Sequence, residues 1–194
     1  MAVEMRLVLF GAPGAGKGTQ AQRLVAEFEL LYLGTGDVLR SAIANATELG
    51  MQAKAFVDRG DLVPDDLVIG IVKDALRNER AERGFILDGF PRTIHQAEAL
   101  DEFLYNGYLD LTRVISLEVN EEELVQRILA RSGSSETQRT DDNEAVIRSR
   151  FKAFLEQTMP LKRFYQARGL ISDVDGMGTV DEVYEAVRSA ALGR

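Results

Sequence analysis

Apolar residues along this chain fall into short unbroken runs separated by longer stretches of helical periodicity. Arg6 to Phe10 is such a run and stops at Gly11. A strand buried on both faces reads this way, without polar alternation. A glycine-rich turn follows, then a predicted helix from about Lys17 to Glu27. Leu30 to Leu33 is the next apolar run and ends at Gly34. Asp37 to Ala46 and Gln52 to Arg59 read as two short helices, separated by Gly50 and closed by Gly60. Pro64 precedes a further helix, Asp65 to Asn78.

Beyond Gly84 the same alternation resumes. Phe85 to Leu87 reads as a strand ending in Asp88, with a helix from about Ile94 to Tyr105. Arg113 to Val119 reads as a strand and Glu121 to Arg131 as a helix. Ser132 to Gln138 is polar throughout. A long helix from about Asp142 to Ala167, a strand Leu170 to Val174 and a helix Val180 to Ala191 complete the pattern. Strands alternating with helices imply parallel βαβ units with helices on both faces. Two segments depart from the alternation: the helix pair between Leu33 and Pro64, and the polar stretch 132–138. Insertions at strand ends in such a fold commonly build the ligand site.

Composition narrows the function. The 194 residues suffice for one well-buried domain, and 45% hydrophobic with 28% charged residues is a globular balance. A formal net charge of −8 disfavours general binding to nucleic acid or anionic membranes. The chain has no cysteine, which excludes disulfides, thiolate zinc sites and a catalytic thiol. The apolar run near the N-terminus, Leu7 to Gly11, is too short for a signal peptide or a membrane span, so a cytoplasmic enzyme is expected.

The first chemical motif is Gly11-Ala-Pro-Gly-Ala-Gly-Lys17-Gly18-Thr19, set between a strand and a helix. That context makes it a phosphate-binding P-loop: glycines turn backbone N–H groups inward, the helix N-terminus adds its positive end, and Lys17 reaches the transferring phosphates. The usual pattern has Ser or Thr directly after the lysine. Here Gly18 fills that slot and Thr19 follows, so magnesium is expected to be held through water. A guanine-selective GTPase would carry Asn-Lys-x-Asp, which the chain lacks.

The P-loop with Gln20 and Ala21 resembles the adenylate kinases. So do Gly34-Thr-Gly-Asp-Val-Leu-Arg40, Gly60-Asp-Leu-Val-Pro-Asp65, Gly84-Phe-Ile-Leu-Asp-Gly-Phe-Pro-Arg92-Thr with Gln96, and Arg139-Thr-Asp141-Asp142-Asn. The resemblance spans nearly the whole chain. It implies an α/β fold of P-loop NTPase type. A five-stranded parallel sheet with helices on both faces would carry a small helical monophosphate-binding insertion at 34–63 and a short lid at 131–138. Seven residues between Arg131 and Arg139 are too few for the zinc-bearing lid of long-lid relatives. The resemblance further implies ATP, AMP and ADP as ligands, Mg²⁺ brought with ATP, no zinc, no nucleic-acid or membrane partner, and a monomer.

It also implies roles for individual residues. The ATP site would comprise Gly14, Ala15, Gly16, Lys17, Gly18 and Thr19, with Arg127 packed on the adenine and Gly178 beside it. The AMP site would comprise Thr35, Arg40, Val57, Val63, Gly89, Arg92 and Gln96. Arg131, Arg139 and Arg150 would close on the ATP phosphates and the transferring group, Arg139 and Arg150 reaching the acceptor as well. Asp141 and Asp142 would orient the lid arginines. Arginine suits these tasks because its planar fork binds phosphate oxygens bidentately.

The residues themselves leave alternatives open. Arg127 and Arg131 share a helix face, but isolated arginines are usually solvated. Asp88 ends a strand as a magnesium-water acid would, or as a turn residue. Asp141 with Glu144 could equally be a capping box, and Asp37 also reads as a helix cap. Gln96 offers a donor and an acceptor to adenine, or is an exposed helix residue. Leu39 and Val57 would line a purine slot. His95 lies on a surface pattern and receives no chemistry. The expected reaction is Mg-ATP + AMP giving two ADP without a covalent intermediate. The rivals are a UMP/CMP kinase on the same scaffold, a non-catalytic nucleotide-binding module, and an interaction protein that keeps the fold.

Overall fold

The computed structural model describes residues 4–57, 63–132, 148 and 151–193, and the side chains of all of these except 57, 79 and 129–132. Five strands form one parallel sheet in the order β2-β3-β1-β4-β5. They are β1 (Met5–Phe10), β2 (Leu31–Gly34), β3 (Gly84–Asp88), β4 (Arg113–Glu118) and β5 (Ile171–Asp175).

The apolar runs are explained by burial on both faces. Met5, Leu7 and Leu9 of β1 face one core with Ile86, Ile115 and Leu117. Val8 and Phe10 face the other with Phe85, Leu87 and Val114. The first core is closed by α1 (Lys17–Phe28) and α8 (Val180–Ala191), through Ala21, Leu24, Val183 and Val187. The second is closed by α4 (Asp65–Leu76), α5 (Ile94–Asn106) and α7 (Pro160–Gln166), through Ile69, Val72, Leu100, Leu161 and Tyr165. With no solvent face, a central strand offers few positions where a polar side chain is favoured; Arg6 of β1 and Ser116 of β4 are buried exceptions, each hydrogen-bonded. Helix α6 (Glu121–Ser132) follows β4.

Two predicted boundaries are corrected by packing. The helix pair after β2 comprises α2 (Thr35–Ala44) and α3 (Glu48–Val57), so Gly50 lies inside α3 instead of separating two helices. Thr47 does the starting, its hydroxyl accepting from the Gly50 N–H at 3.0 Å. Gly50 itself permits contact: a Cβ there would lie 2.1 Å from the Ala42 carbonyl oxygen of α2. Asp37, read as a cap, sits within the first turn of α2, whose N-cap is Gly34, and pairs with Arg40.

The long helix expected from Asp142 to Ala167 is interrupted in its described part. Phe154–Thr158 is a π-helical turn, in which the Met159 N–H reaches back five residues to the Phe154 carbonyl at 2.9 Å. Pro160 then opens α7. Proline has no N–H for the ladder and crowds the preceding turn, so a regular helix cannot run through it.

Candidate active site

The carboxyl ends of β1, β2 and β3 lie side by side, which is where ligands settle in an open α/β sheet. The loop after β1 carries the phosphate motif. Gly14 has φ +87°, and a Cβ on it would sit 2.9 Å from Ile128 Cγ1 of α6, so both conformation and space demand glycine. Gly16, at φ +91°, is the N-cap of α1 and supplies no side-chain cap. The first N–H groups of α1 are thus left to other acceptors. Lys17 folds back over the loop, donating to the carbonyls of Gly11 at 2.8 Å and Ala12 at 3.0 Å. Ala15 is buried and Thr19 exposed.

Asp88 ends β3 opposite Leu9 of β1. Its carboxylate accepts from the Tyr32 hydroxyl at 3.1 Å. A Cβ built on Gly18 would lie 3.6 Å from Asp88 Oδ2, so the P-loop backbone runs next to this carboxylate. The Asp88 carbonyl accepts from the Thr35 hydroxyl at 3.1 Å, which ties the start of α2 to the end of β3.

Gly89 follows at φ +80°. A Cβ there would come within 3.1 Å of Arg92 Nη2 and 3.3 Å of Thr35 Oγ1. Arg92 is exposed and donates through Nε to the Gly89 carbonyl at 2.7 Å. Thr35, Gly89 and Arg92 therefore converge. Gln96 is buried, with 4% of its surface exposed, and its amide spans the backbone N–H of Arg92 and the Asp65 carboxylate, each at 2.7 Å. The exposed-helix alternative for Gln96 is thereby removed. Arg40 is exposed, pairs with Asp37 and lies over Gly36. Leu39 and Val63 are half-buried, and Val57 is the last residue of α3, its side chain outside the described set.

On the other flank, Arg127 is clamped at two points. Its Nε donates to Glu123 at 2.7 Å and its Nη2 to the carbonyl of Gly176 at 2.8 Å. Gly176 belongs to the loop that runs through Gly178 to α8, and its own N–H donates to the Glu118 carbonyl at the end of β4 at 2.8 Å. The Arg131 side chain, and all of Arg139, Asp141, Asp142 and Arg150, lie outside the described residues.

His95 donates to the Asp66 carboxylate at 3.1 Å, an exposed link between α5 and α4. Sequence reasoning missed Tyr32, Asp65, Glu123 and Gly176 as supports of the site. A tyrosine inside the apolar run of β2 was the one available signal. Among the described residues there is no cluster of three or more His, Asp or Glu that could hold a metal, and no helix long and apolar enough to cross a membrane. A cleft of about 400 Å³ lies on another side of α2 against α4 and is lined by Leu31, Val38, Ala42, Ile71 and Ala75. Of the residues around the site it reaches only Asp37, the partner of Arg40.

A glycine loop from β1 into α1, its lysine, and a carboxylate ending the adjacent strand define a P-loop nucleotide-binding α/β protein. A family model described as adenylate kinase matches residues 9–170. The adenylate kinase of Xanthobacter autotrophicus is 49% identical over 187 residues, covering 94% of this chain and 96% of that protein. Those of Thermus thermophilus and Thermobifida fusca are 49% identical over 193 residues and 45% over 190, spanning 100% and 98% of this chain and all of each relative. The chain belongs to the adenylate kinase family.

Proposed function

We propose that the protein transfers the terminal phosphoryl group of Mg-ATP to AMP, reversibly giving two ADP, by direct in-line displacement without a covalent enzyme intermediate. The observation that carries this reading is the near-full-length match to adenylate kinases, in a chain that keeps the Lys17 loop beside Asp88. The acceptor is already a phosphate anion, so the chemistry needs alignment and charge neutralisation more than a general base.

In this reading the backbone of Gly14 to Thr19 cradles the ATP phosphates. Lys17 exchanges its contacts to the Gly11 and Ala12 carbonyls for phosphate oxygens. Arg127 and Gly178 flank the donor adenine. Thr35, Arg40, Val57, Val63, Gly89, Arg92 and Gln96 form the acceptor site, and Arg131, Arg139 and Arg150 neutralise the transferring group, oriented by Asp141 and Asp142. Residues 34–63 act as the monophosphate-binding insertion and 131–138 as the lid. Their closure excludes water, so ATP is not hydrolysed idly. Magnesium arrives with ATP and supplies charge neutralisation. The Asp88 carboxylate, adjacent to the loop, suits its water shell better than a direct bond. We further propose a cytoplasmic monomer without structural zinc.

A coupled assay with ATP and AMP, CMP, UMP or GMP tests the reaction. AMP should be the preferred acceptor by kcat/KM. CMP or UMP used as efficiently as AMP would move the assignment to a UMP/CMP kinase, and no turnover with any acceptor would leave a binding module.

A further inference from the structure

We propose that Asp65 sets the class of base the acceptor site accepts, by fixing which way the Gln96 amide points; this rests on the reading of Gln96 as the contact to the acceptor base. Asp65 is the first residue of α4, just after Pro64. Its Oδ1 accepts from Gln96 Nε2 at 2.7 Å and its Oδ2 from the Thr93 hydroxyl at 2.5 Å. Thr93 in turn is the N-cap of α5, accepting from the Gln96 N–H at 3.2 Å. Both oxygens of one carboxylate are therefore spent on the two residues that flank the start of α5.

The polarity of the Gln96 amide follows from its partners. An ionised carboxylate only accepts, so it must face the NH₂ group; a backbone N–H only donates, so that of Arg92 must face Oε1. Turning the amide over would set oxygen against oxygen and N–H against N–H in a buried place. The lock is thus chemical and does not depend on packing alone.

A primary amide has two N–H donors and two lone pairs on its oxygen. Asp65 and Arg92 use one of each. One donor and one acceptor remain, in an order that cannot invert while Asp65 holds Nε2. Adenine and cytosine present an amino N–H beside a ring-nitrogen acceptor. Guanine and uracil present a carbonyl oxygen beside a ring N–H, the inverse pattern. An amide of fixed polarity serves the first pair and opposes the second, because a base of the wrong pattern leaves polar groups unpaired. Asp65 is accordingly a positioning residue for discrimination between amino and keto bases, whereas adenine against cytosine is left to the size of the slot.

The neighbouring Asp66 makes a contrast. It also bridges α4 to α5, but through exposed His95 at 3.1 Å. A purely mechanical tether between the helices would need no carboxylate at Asp65 in particular.

The test compares kcat/KM for AMP, CMP, GMP and UMP in the wild type, Asp65→Asn, Asp65→Glu and Gln96→Ala. Asparagine can meet the Gln96 amide in either orientation. In Asp65→Asn the preference for AMP over GMP and UMP should fall by about tenfold or more, while KM for ATP stays put. Asp65→Glu keeps an acceptor-only group and should retain more of the preference than Asp65→Asn. A uniform fall with all four acceptors, ratios unchanged, overturns the proposal and leaves a structural tether. An acceptor profile that survives Gln96→Ala instead removes Gln96 as the base contact, which separates failure of the underlying reading from failure of this one. Should Asp65→Asn not fold, side-chain amide NMR of the wild type still decides: one Gln96 Nε2 proton should lie well downfield of its geminal partner, as a proton bonded to a carboxylate does, and a pair with the shifts of a solvent-exposed glutamine sinks the lock.

Discussion

Lys17 bends its ammonium back onto the carbonyl oxygen of Gly11, 2.8 Å away, with that of Ala12 at 3.0 Å. The cation is therefore held at the loop by carbonyl contacts that phosphate oxygens would have to replace. Lys17→Ala should cost ~10²-fold or more in turnover, the scale of removing one preorganised donor from a developing negative charge. Its unfolding temperature should move little, since the side chain is half-buried and belongs to neither apolar core. Full turnover in the folded variant would remove Lys17 from the mechanism.

Gly50 offers a test of the insertion. The Ala42 carbonyl oxygen of α2 would lie 2.1 Å from a Cβ at this position, and the Ala42 carbonyl carbon 2.3 Å. Both are backbone atoms, so the two helices must separate to admit a methyl group. Overpacking of this kind typically costs about 1–3 kcal/mol, so Gly50→Ala should lower the unfolding temperature by roughly 5 °C. KM for AMP should rise more than KM for ATP. A melting curve identical to that of the wild type would mean that α2 and α3 are not packed as described.

What could be read from the chain in advance was what is local. The strands were legible because burial on both faces leaves an apolar run with no polar interruption, as in Leu7–Phe10 of β1. The phosphate loop was legible because its glycines, lysine and flanking elements are contiguous. Gly50 misled because its role depends on Ala42, which approaches it only through the folded α2–α3 pair. Pro160 was available in the sequence and was overridden by the helical pattern around it. The supports of the site were hidden for a similar reason: Tyr32 meets Asp88 across 56 residues of chain, and Asp65 meets Gln96 across 31. No short-range pattern marks such a pair before the strands are aligned.

The exposed pair of His95 and Asp66 gives a pH signature. The hydrogen bond that His95 donates to Asp66 is the main influence raising the imidazole above its ordinary value of 6.5, with the charges of Asp66, Asp65 and Glu98 adding to it and desolvation opposing. A folded-state value above the unfolded one favours the protonated folded form. The stabilisation is fully present below pH 6.5 and is lost as pH rises through the higher folded-state midpoint. NMR titration should find the His95 midpoint above 6.5, and lower in Asp66→Asn. The two proteins should differ in stability more at about pH 6 than at about pH 9. An unshifted midpoint in the wild type would deny the pair in solution.

Arg127 provides the last prediction, because its geometry separates charge from shape. Glu123, one turn earlier in α6, accepts from Nε, and the Gly176 carbonyl accepts from Nη2. Two anchors on different edges fix the plane of the guanidinium as well as its position. A fixed flat cation is suited to stacking on a purine, whereas a solvated arginine would sample many planes. Stacking of a cation on an aromatic ring contributes about 0.5–2 kcal/mol, so Arg127→Ala should raise KM for ATP roughly 2- to 30-fold with little change for AMP. Arg127→Lys is the sharper variant. It keeps the charge but has no planar fork, and one ammonium cannot hold both anchors in the same geometry. If the flat face is what binds, lysine should behave much like alanine. If charge near the ATP phosphates is what matters, lysine should behave much like arginine, and salt should weaken ATP binding in both. Separate titrations of ATP and AMP at two ionic strengths decide between these. An Arg127→Lys protein with wild-type KM for ATP would place the donor adenine somewhere other than on this guanidinium.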